Sequence, residues 1–559
     1  MARMISSRKM AVSTVLVILM GMLACTVVAN LPPLVKNPNM LQLNTRVIVH
    51  ELQLQKGKKK ASLDDFPESE IDGFKEAGFD IVQLGGVWQT GMFGMQRALK
   101  TIESDPLLTE DMACSSPYAI VEYKVHDDFG GDAALARLRE KFKQRGIRLF
   151  LDFVPNHVAV DHPWTAEKPD YLVAGSDEDL ANEPQNYFRV GERVLAHGRD
   201  PYFDGWEDTA QLNYGHGELR SEMCKTLAKI ATMCDGVRCD MAMLQCPDIM
   251  EQTWGGRLNP ADGSPRVTDP FWPGAIKAAK AANKNFILMA EVYWGRDFEL
   301  QESGFAFTYD KALYDRVVAL QGDPVRLHLT ADLAFQSKCI RYLESHDEER
   351  AATVLSDVKS HDAAAILAFT CPGIRSFHDG QLQGRKKRVS MHVRCRLHEP
   401  RDPQVSLIYA KLLGTVLKRP EVRDGTWTQC HTSPSMDQNP SWMNMVAHCC
   451  WDDRGHAMMV VVNFGGDHSN GHVVIPPQVK LGIRSYPIPP TMNYTITEEE
   501  KVQELGSVQN AAAEVMLNDI WSHESYTREA KELLGEHGGM WFDMKPWQTH
   551  VFDLSLLTH

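Results

Sequence analysis

Apolar positions along the chain follow two alternating rhythms. Short, strand-length apolar runs at 79–84 and 147–154 are separated by stretches with helical spacing at 69–77 and 133–145, the second ending at Gly146 as a C-terminal stop. A run such as IRLFLDFV is apolar on both faces, as expected of a strand in a parallel sheet covered on both sides. The same rhythm returns at 236–240, 286–291, 339–343 and 364–370, each read as a strand. Strand alternating with helix over roughly 350 residues predicts an α/β fold, a parallel sheet closed or wound with helices outside.

Two stretches interrupt that rhythm. Residues 158–213 are rich in Asp, Pro, Gly, Trp and Tyr and read as a long excursion between one strand and the next helix. Residues 385–403 form a basic connection ending near Pro403, before a last helix at 404–418. Beyond about residue 425 the pattern changes to short strands, such as 457–464 and 473–475, divided by Gly, Pro and Asn, which predicts a separate β domain. A helix at 498–516, broken at Gly506, and core positions for Trp541 and Trp547 are expected within it. The division is therefore a leader at 1–40, an α/β unit at 41–420 and a β domain at 421–559.

The leader has chemistry of its own. Arg3, Arg8 and Lys9 precede an apolar run at 10–29, and no acidic residue occurs before Glu51. As a helix rising about 1.5 Å per residue the run would span a bilayer, so an uncleaved anchor is one reading. A secretory signal cut after Val27-Val28-Ala29 is the other. Both imply a secreted or membrane-anchored protein, and the sequon Asn493-Tyr494-Thr495 agrees with either.

Composition narrows the function classes. The 559 residues carry 59 basic and 73 acidic side chains, a net charge of −14, which argues against a nucleic-acid partner. The densest basic cluster, Arg385-Lys386-Lys387-Arg388, is too short to change that. Twelve cysteines lack the paired spacing of a zinc site and read as buried small hydrophobes or free thiols.

Four segments put polar chemistry at the C-terminal ends of predicted strands, where barrel active sites are built: Asp152-Phe-Val-Pro-Asn156-His157, Arg238-Cys-Asp240, Glu291-Val-Tyr293 and His346-Asp347. Arg238 and Asp240 are two apart and share a face, and the cation favours an ionised carboxylate suited to nucleophilic attack. The apolar residues at 287–289 would raise the pKa of Glu291 and suit it to act as an acid. Retaining glycoside hydrolysis needs that division of labour, with two carboxyls about 5–5.5 Å apart. Ser345-His346-Asp347 is no hydrolase triad, because adjacent residues cannot form the relay. Tyr118 and Trp294 are candidate stacking residues, and Trp88, after a strand end, is expected to line the cleft; Trp164, Trp206, Tyr202 and Trp254 could serve as sugar platforms or pack under loops.

The ordered set DFVPNH, GVRCD, AEVYW and SHD resembles the four conserved segments of the α-amylase family, glycoside hydrolase family 13. Ser116-Pro-Tyr118 upstream, Pro372-Gly373-Ile374 and the closing Pro546-Trp547 are similar too, so the resemblance runs over about 41–555. It implies a closed (β/α)8 barrel at 41–420, with 158–213 protruding after the third strand, and a C-terminal β-sandwich at 421–559. Within the site it implies Asp240 as nucleophile, Glu291 as acid/base and Asp347 as the carboxylate that binds and distorts the reacting sugar. It also implies Arg238, His157, His346 and Tyr118 around that sugar, with Asp152 and Asn156 in support, acting on α-linked glucans or oligosaccharides.

Three departures stand out. Gln211 replaces the Asp usual in calcium-binding members, and Met243-Leu244 replaces a common Lys-His, so no cofactor is expected and calcium is unsupported. Ala119 stands where many exo-acting α-glucosidases have an Asp, which favours an open cleft. The alternatives are a transglycosylase of the same family and a non-catalytic, membrane-anchored transporter partner.

Overall fold

The computed structural model of the chain describes residues 31–58, 60–103, 107–484, 506–507 and 514–557. Eight parallel strands close a barrel: β1 (Asn39–Asn44), β2 (Ile81–Gly85), β3 (Arg148–Phe153), β4 (Gly236–Cys239), β5 (Ile287–Ala290), β6 (Phe307–Tyr309), β7 (Cys339–Arg341) and β8 (Ile374–His378), with β8 pairing back onto β1. Helices α1 (Glu68–Glu76), α2 (Gly131–Gln144), α3 (Gly217–Met233), α4 (Trp272–Ala282), α5 (Asp297–Glu302), α6 (Lys311–Val318), α7 (Val358–Phe369) and α8 (Pro403–Lys411) follow the strands around it.

The two-residue period of the strands divides the apolar residues between two cores. Met40, Ile81, Phe150, Met289, Ile340 and Ile374 fill the barrel interior. Their neighbours Leu41, Val82, Leu149, Leu151, Val237 and Leu288 face outward into the larger core beneath the helices. Two residues beyond several of those interior apolar groups, on the same face, come Gln42, Gln83, Asp152 and Glu291, with Arg238 level with Asp152 on the next strand. The interior thus turns from apolar to polar toward the C-terminal mouth.

The predicted strand at 364–370 is a helix instead: α7 ends at Phe369, and the eighth strand is Ile374–His378. Every residue from Ala363 to Phe369 is buried, because α7 lies between the barrel and the β domain. A helix with no polar face loses the 3.6-residue signal and reads like a buried strand. β1 opens at Asn39, inside the segment assigned to the leader, and β6 is only three residues long; neither stood out in the pattern.

Residues 158–213 carry a three-stranded antiparallel sheet of Ala174–Gly175, Arg193–Ala196 and Tyr187–Val190. The excursion is tied at its base where Thr209–Gln211 pairs antiparallel with His157–Ala159.

Beyond Arg423 the strands pair antiparallel, except that the short Ile483–Arg484 runs parallel to Thr549–Leu557. One sheet runs in the order Thr426–Gln429, Met445–Trp451, Ala457–Asn463, Thr549–Leu557, Glu514–Asp519, Glu524–Glu529; a second holds His431–Pro434, Ser469–Val474 and Met540–Met544. Met445, Cys449, Val461, Val473 and Met540 fill the space between them. The outer face of the larger sheet, with Val446, Met458, Val460 and Val462, joins the core around the barrel helices. Trp541 is not in the core: it is 58% exposed, because Met540 and Phe542 take the inward positions of its strand. Trp547 is half-buried against Phe464.

In the 498–516 segment the described residues are strands, Gly506–Ser507 and the start of Glu514–Asp519, rather than helix. The apolar run at 10–29 and Asn493 lie outside the described residues, and among those described no helix is long and apolar enough to cross a membrane. The eleven described cysteines are free thiols, ten of them buried.

Candidate active site

At the barrel mouth one buried guanidinium organises three carboxyls. Arg238 is fully buried; its Nη1 lies 2.9 Å from Asp240 Oδ1, and its Nη2 lies 2.7 Å from Glu291 Oε1 and 3.6 Å from Asp347 Oδ2. β4 and β5 are neighbours with Cys239 level with Ala290, so the residue that follows each strand emerges at the same height. That register is what brings Asp240 and Glu291 to one cation.

Each carboxyl is further held. Glu291 accepts hydrogen bonds from the Tyr293 hydroxyl (2.9 Å) and the Met241 amide (2.7 Å). Met241 donates from a left-handed conformation (φ 43°), a strained geometry for a non-glycine residue of the kind that gathers at functional sites. Asp347 lies 3.0 Å from His346 Nε2, and the Tyr118 hydroxyl meets the same nitrogen while its ring stacks on the imidazole, centroids 5.4 Å apart. Asp152 accepts from Gln83 (2.9 Å) and from the Gly86 amide (2.7 Å). Gly86 has φ 75°, and a Cβ there would sit 2.5 Å from Pro117, so glycine is required for that approach.

Burial and charge set the protonation states. Burial pushes the pKa of Glu291 up to about 7, with Asp240 and Asp347 adding to the rise against the opposing pull of Arg238. Burial also raises Asp240, while the charge and hydrogen bond of Arg238 hold it down. Arg238 alone was expected to keep Asp240 low; desolvation outweighs that single contact. Burial likewise opposes ionisation of Asp347, but the charge and hydrogen bond of His346, with Arg238 and Arg388, outweigh it and hold Asp347 well below the usual range. His346 is raised in turn: burial would lower it, and Asp347 reverses the sign. His157 is pushed down to about 4 by burial and stays neutral.

Of the residues expected here, Tyr118, Arg238, Asp240, Glu291, His346 and Asp347 converge directly. Asp152 stands one strand away, facing Arg238 across the β3–β4 register. Asn156 and His157 are buried at the base of the excursion, His157 against Trp206 at 5.1 Å. Trp294 is 39% exposed with φ 60°, three residues past Glu291, and meets the exposed Tyr202 of the excursion edge-to-face at 5.0 Å. Trp164 packs on Tyr171, and Trp254 is buried under Arg199.

Trp88 does not line a cleft. It is fully buried, packs against Tyr123, and its indole N–H donates to the Asp152 carbonyl at 2.8 Å. Trp88→Ala is expected to cost about 3–5 kcal/mol of stability, measured by denaturant titration, the scale for emptying a large core site.

Four supporting groups had no role assigned from the sequence: Tyr293, the Met241 amide, Gln42 Nε2 at 3.4 Å from His346 Nδ1, and Arg388. Arg388 donates to the Asp347 carbonyl (2.9 Å) and to Glu349 (3.1 Å), so the basic cluster at 385–388 braces the loop that carries Asp347. Only Tyr293, inside AEVYW, had a signal that could have singled it out.

The family model "Alpha amylase, catalytic domain" matches residues 106–445. Among characterised proteins the chain is similar to alpha-amylase MalA of Haloarcula japonica, 27% identical over 301 residues, or 51% of this chain and 38% of the relative. It is also similar to alpha-amylase 3 of Dictyoglomus thermophilum, 21% identical over 289 residues, or 46% of this chain and 52% of the relative. The matched part thus spans about half or less of each relative's length. Among solved structures it resembles the maltogenic alpha-amylase AmyB of Thermotoga neapolitana, with TM-score 0.62 and 15% identity over 93% of this chain and 98% of that one. The alpha-amylase of Geobacillus thermoleovorans, solved with acarbose, gives TM-score 0.59 and 16% identity over 94% and 99%. At such identities these structures speak for the fold alone.

Proposed function

The chain belongs to the α-amylase family of glycoside hydrolases, and from that premise we propose that it is a retaining glycosidase acting on α-linked glucans or oligosaccharides. The observation that carries this reading is the single guanidinium of Arg238 in contact with Asp240 and Glu291, with Asp347 beside them.

The geometry supports a division of the steps among these residues. Glu291, pushed up to about 7, holds a proton near neutrality and gives it to the glycosidic oxygen as that bond breaks. The Asp240 carboxylate attacks the anomeric carbon and forms a glycosyl ester. Glu291, now ionised, takes a proton from water, whose oxygen attacks the same carbon. The ester bond then breaks, Asp240 leaves as carboxylate, and Glu291 is again protonated. Asp347, held ionised, suits hydrogen bonding to sugar hydroxyls, and Arg238 limits repulsion among the acids.

A second reading, transglycosylation, differs only in the acceptor. The exposed Tyr202–Trp294 edge supports it, since an aromatic platform close to Glu291 suits a second sugar ring. Product analysis over a panel of α-glucosides, α-glucans, sucrose and trehalose, with and without added glucose as acceptor, tests both. Shorter products alone are expected of a hydrolase and lengthened ones of a transglycosylase. No turnover of any member would overturn the proposal.

A further inference from the structure

Gln211 occupies the position at which calcium-binding members of the family carry an Asp, and its surroundings test whether a cation fits. Asn156, Gln211 and Gln245 come together at the base of the excursion, all at most 2% exposed. Gln211 Nε2 donates toward three oxygens: Asn156 O (2.9 Å), Asn156 Oδ1 (3.1 Å) and Leu212 O (3.1 Å). Gln211 Oε1 accepts from Asn156 Nδ2 at 3.1 Å, and Gln245 Nε2 reaches Asn156 Oδ1 at 3.4 Å. The amide orientation of Gln211 is fixed by these partners. Turned over, its oxygen would face three other oxygens with no hydrogen between them.

Calcium needs about six to eight oxygen ligands, several of them charged. Here three oxygens already accept from an amide, the network contains no carboxylate, and Gln245 Oε1 is the one buried side-chain oxygen of the trio left without a partner. Among the described residues no cluster of three or more His, Cys, Asp or Glu could hold a metal. The donor set does not fit the ion.

We propose that this three-amide lock replaces a metal as the tie between excursion and barrel, so that the fold stands without divalent cation. The lock joins three segments. Asn156 follows β3 and precedes His157, Gln211 ends the strand that returns from the excursion, and Gln245 closes the turn Ala242–Gln245 after Asp240. A neutral amide makes the crosslink by hydrogen bonding instead of by ion coordination. No buried charge then has to be neutralised.

Thermal melting of the full chain tests this without reference to its activity. The wild type is expected to melt at the same temperature in excess EDTA and in millimolar calcium chloride, and to keep less than a tenth of an equivalent of calcium after desalting. Gln211→Leu is expected to melt about 5 °C lower, on the scale of losing several buried hydrogen bonds, and to be equally indifferent to both additives. A wild-type melting temperature that falls in EDTA or rises in calcium would overturn the proposal. So would one calcium retained per chain, or a Gln211→Leu variant that melts like the wild type. The wild-type arms stand even if the variant fails to fold.

Discussion

Asp240→Asn is expected to lower kcat/KM on α-glucans by about ten-thousand-fold or more, the scale seen when a covalent nucleophile or its partner is removed. Stability should change little. The amide fills the same volume, and Arg238 keeps its contacts with Glu291 and Asp347. Steady-state rates on a soluble α-glucan, read beside the melting temperatures of both proteins, check the two halves together. Asparagine cannot form the glycosyl ester, so a variant as active as the wild type would remove Asp240 from the chemistry. If water instead attacked directly, the product would have inverted configuration. Following the anomer released by the wild type separates those mechanisms.

The second large effect lies in pH. As the proposed acid, Glu291 would have to be protonated to help the leaving group depart, and its pKa is pushed up to about 7. Activity is therefore expected to be full below that value and to fall as pH rises through it, approaching tenfold per unit on the alkaline side. On the acid side the limb is expected from Asp240, the proposed nucleophile, which would have to be ionised and which burial raises above an ordinary aspartate. The profile of kcat/KM should thus be bell-shaped, with its alkaline limb near neutrality. Glu291→Gln should remove that limb and cost about a hundred- to ten-thousand-fold on substrates with poor leaving groups, and much less where the leaving group needs no proton. A wild-type alkaline limb unchanged in Glu291→Gln would assign the titration to another residue.

How much of this was legible in the sequence depended on whether the signal was local. Strands β3, β4 and β5 announced themselves because each is a short apolar run ending in a polar motif, and these bring Arg238, Asp240 and Glu291 together. Asp347 and His346 were legible for the same reason. α7 was misread because periodicity needs a polar face, and burial on every side removed it. Trp88 was misplaced because a tryptophan after a strand end looks the same whether it lines a cleft or fills the space behind Asp152. Arg388 and Gln42 could not have been singled out. Their contacts cross more than forty and three hundred positions of chain respectively, and no local spacing encodes such distances.

The position of α7 has a consequence for dividing the molecule. The helix packs on the barrel with one side and takes the outer face of the larger β sheet with the other. The seam is also stitched by polar contacts: Trp521 donates to Asp362 at 3.0 Å, His448 meets the Thr370 hydroxyl at 2.9 Å, and Arg375 of β8 donates to the Val422 carbonyl at 2.8 Å. A fragment ending after α8 would expose the apolar flank of α7 to water, directly behind β8 and the loop that leads to Asp379. The C-terminal unit therefore serves as a wall of the barrel, and a truncated barrel is expected to express poorly without it.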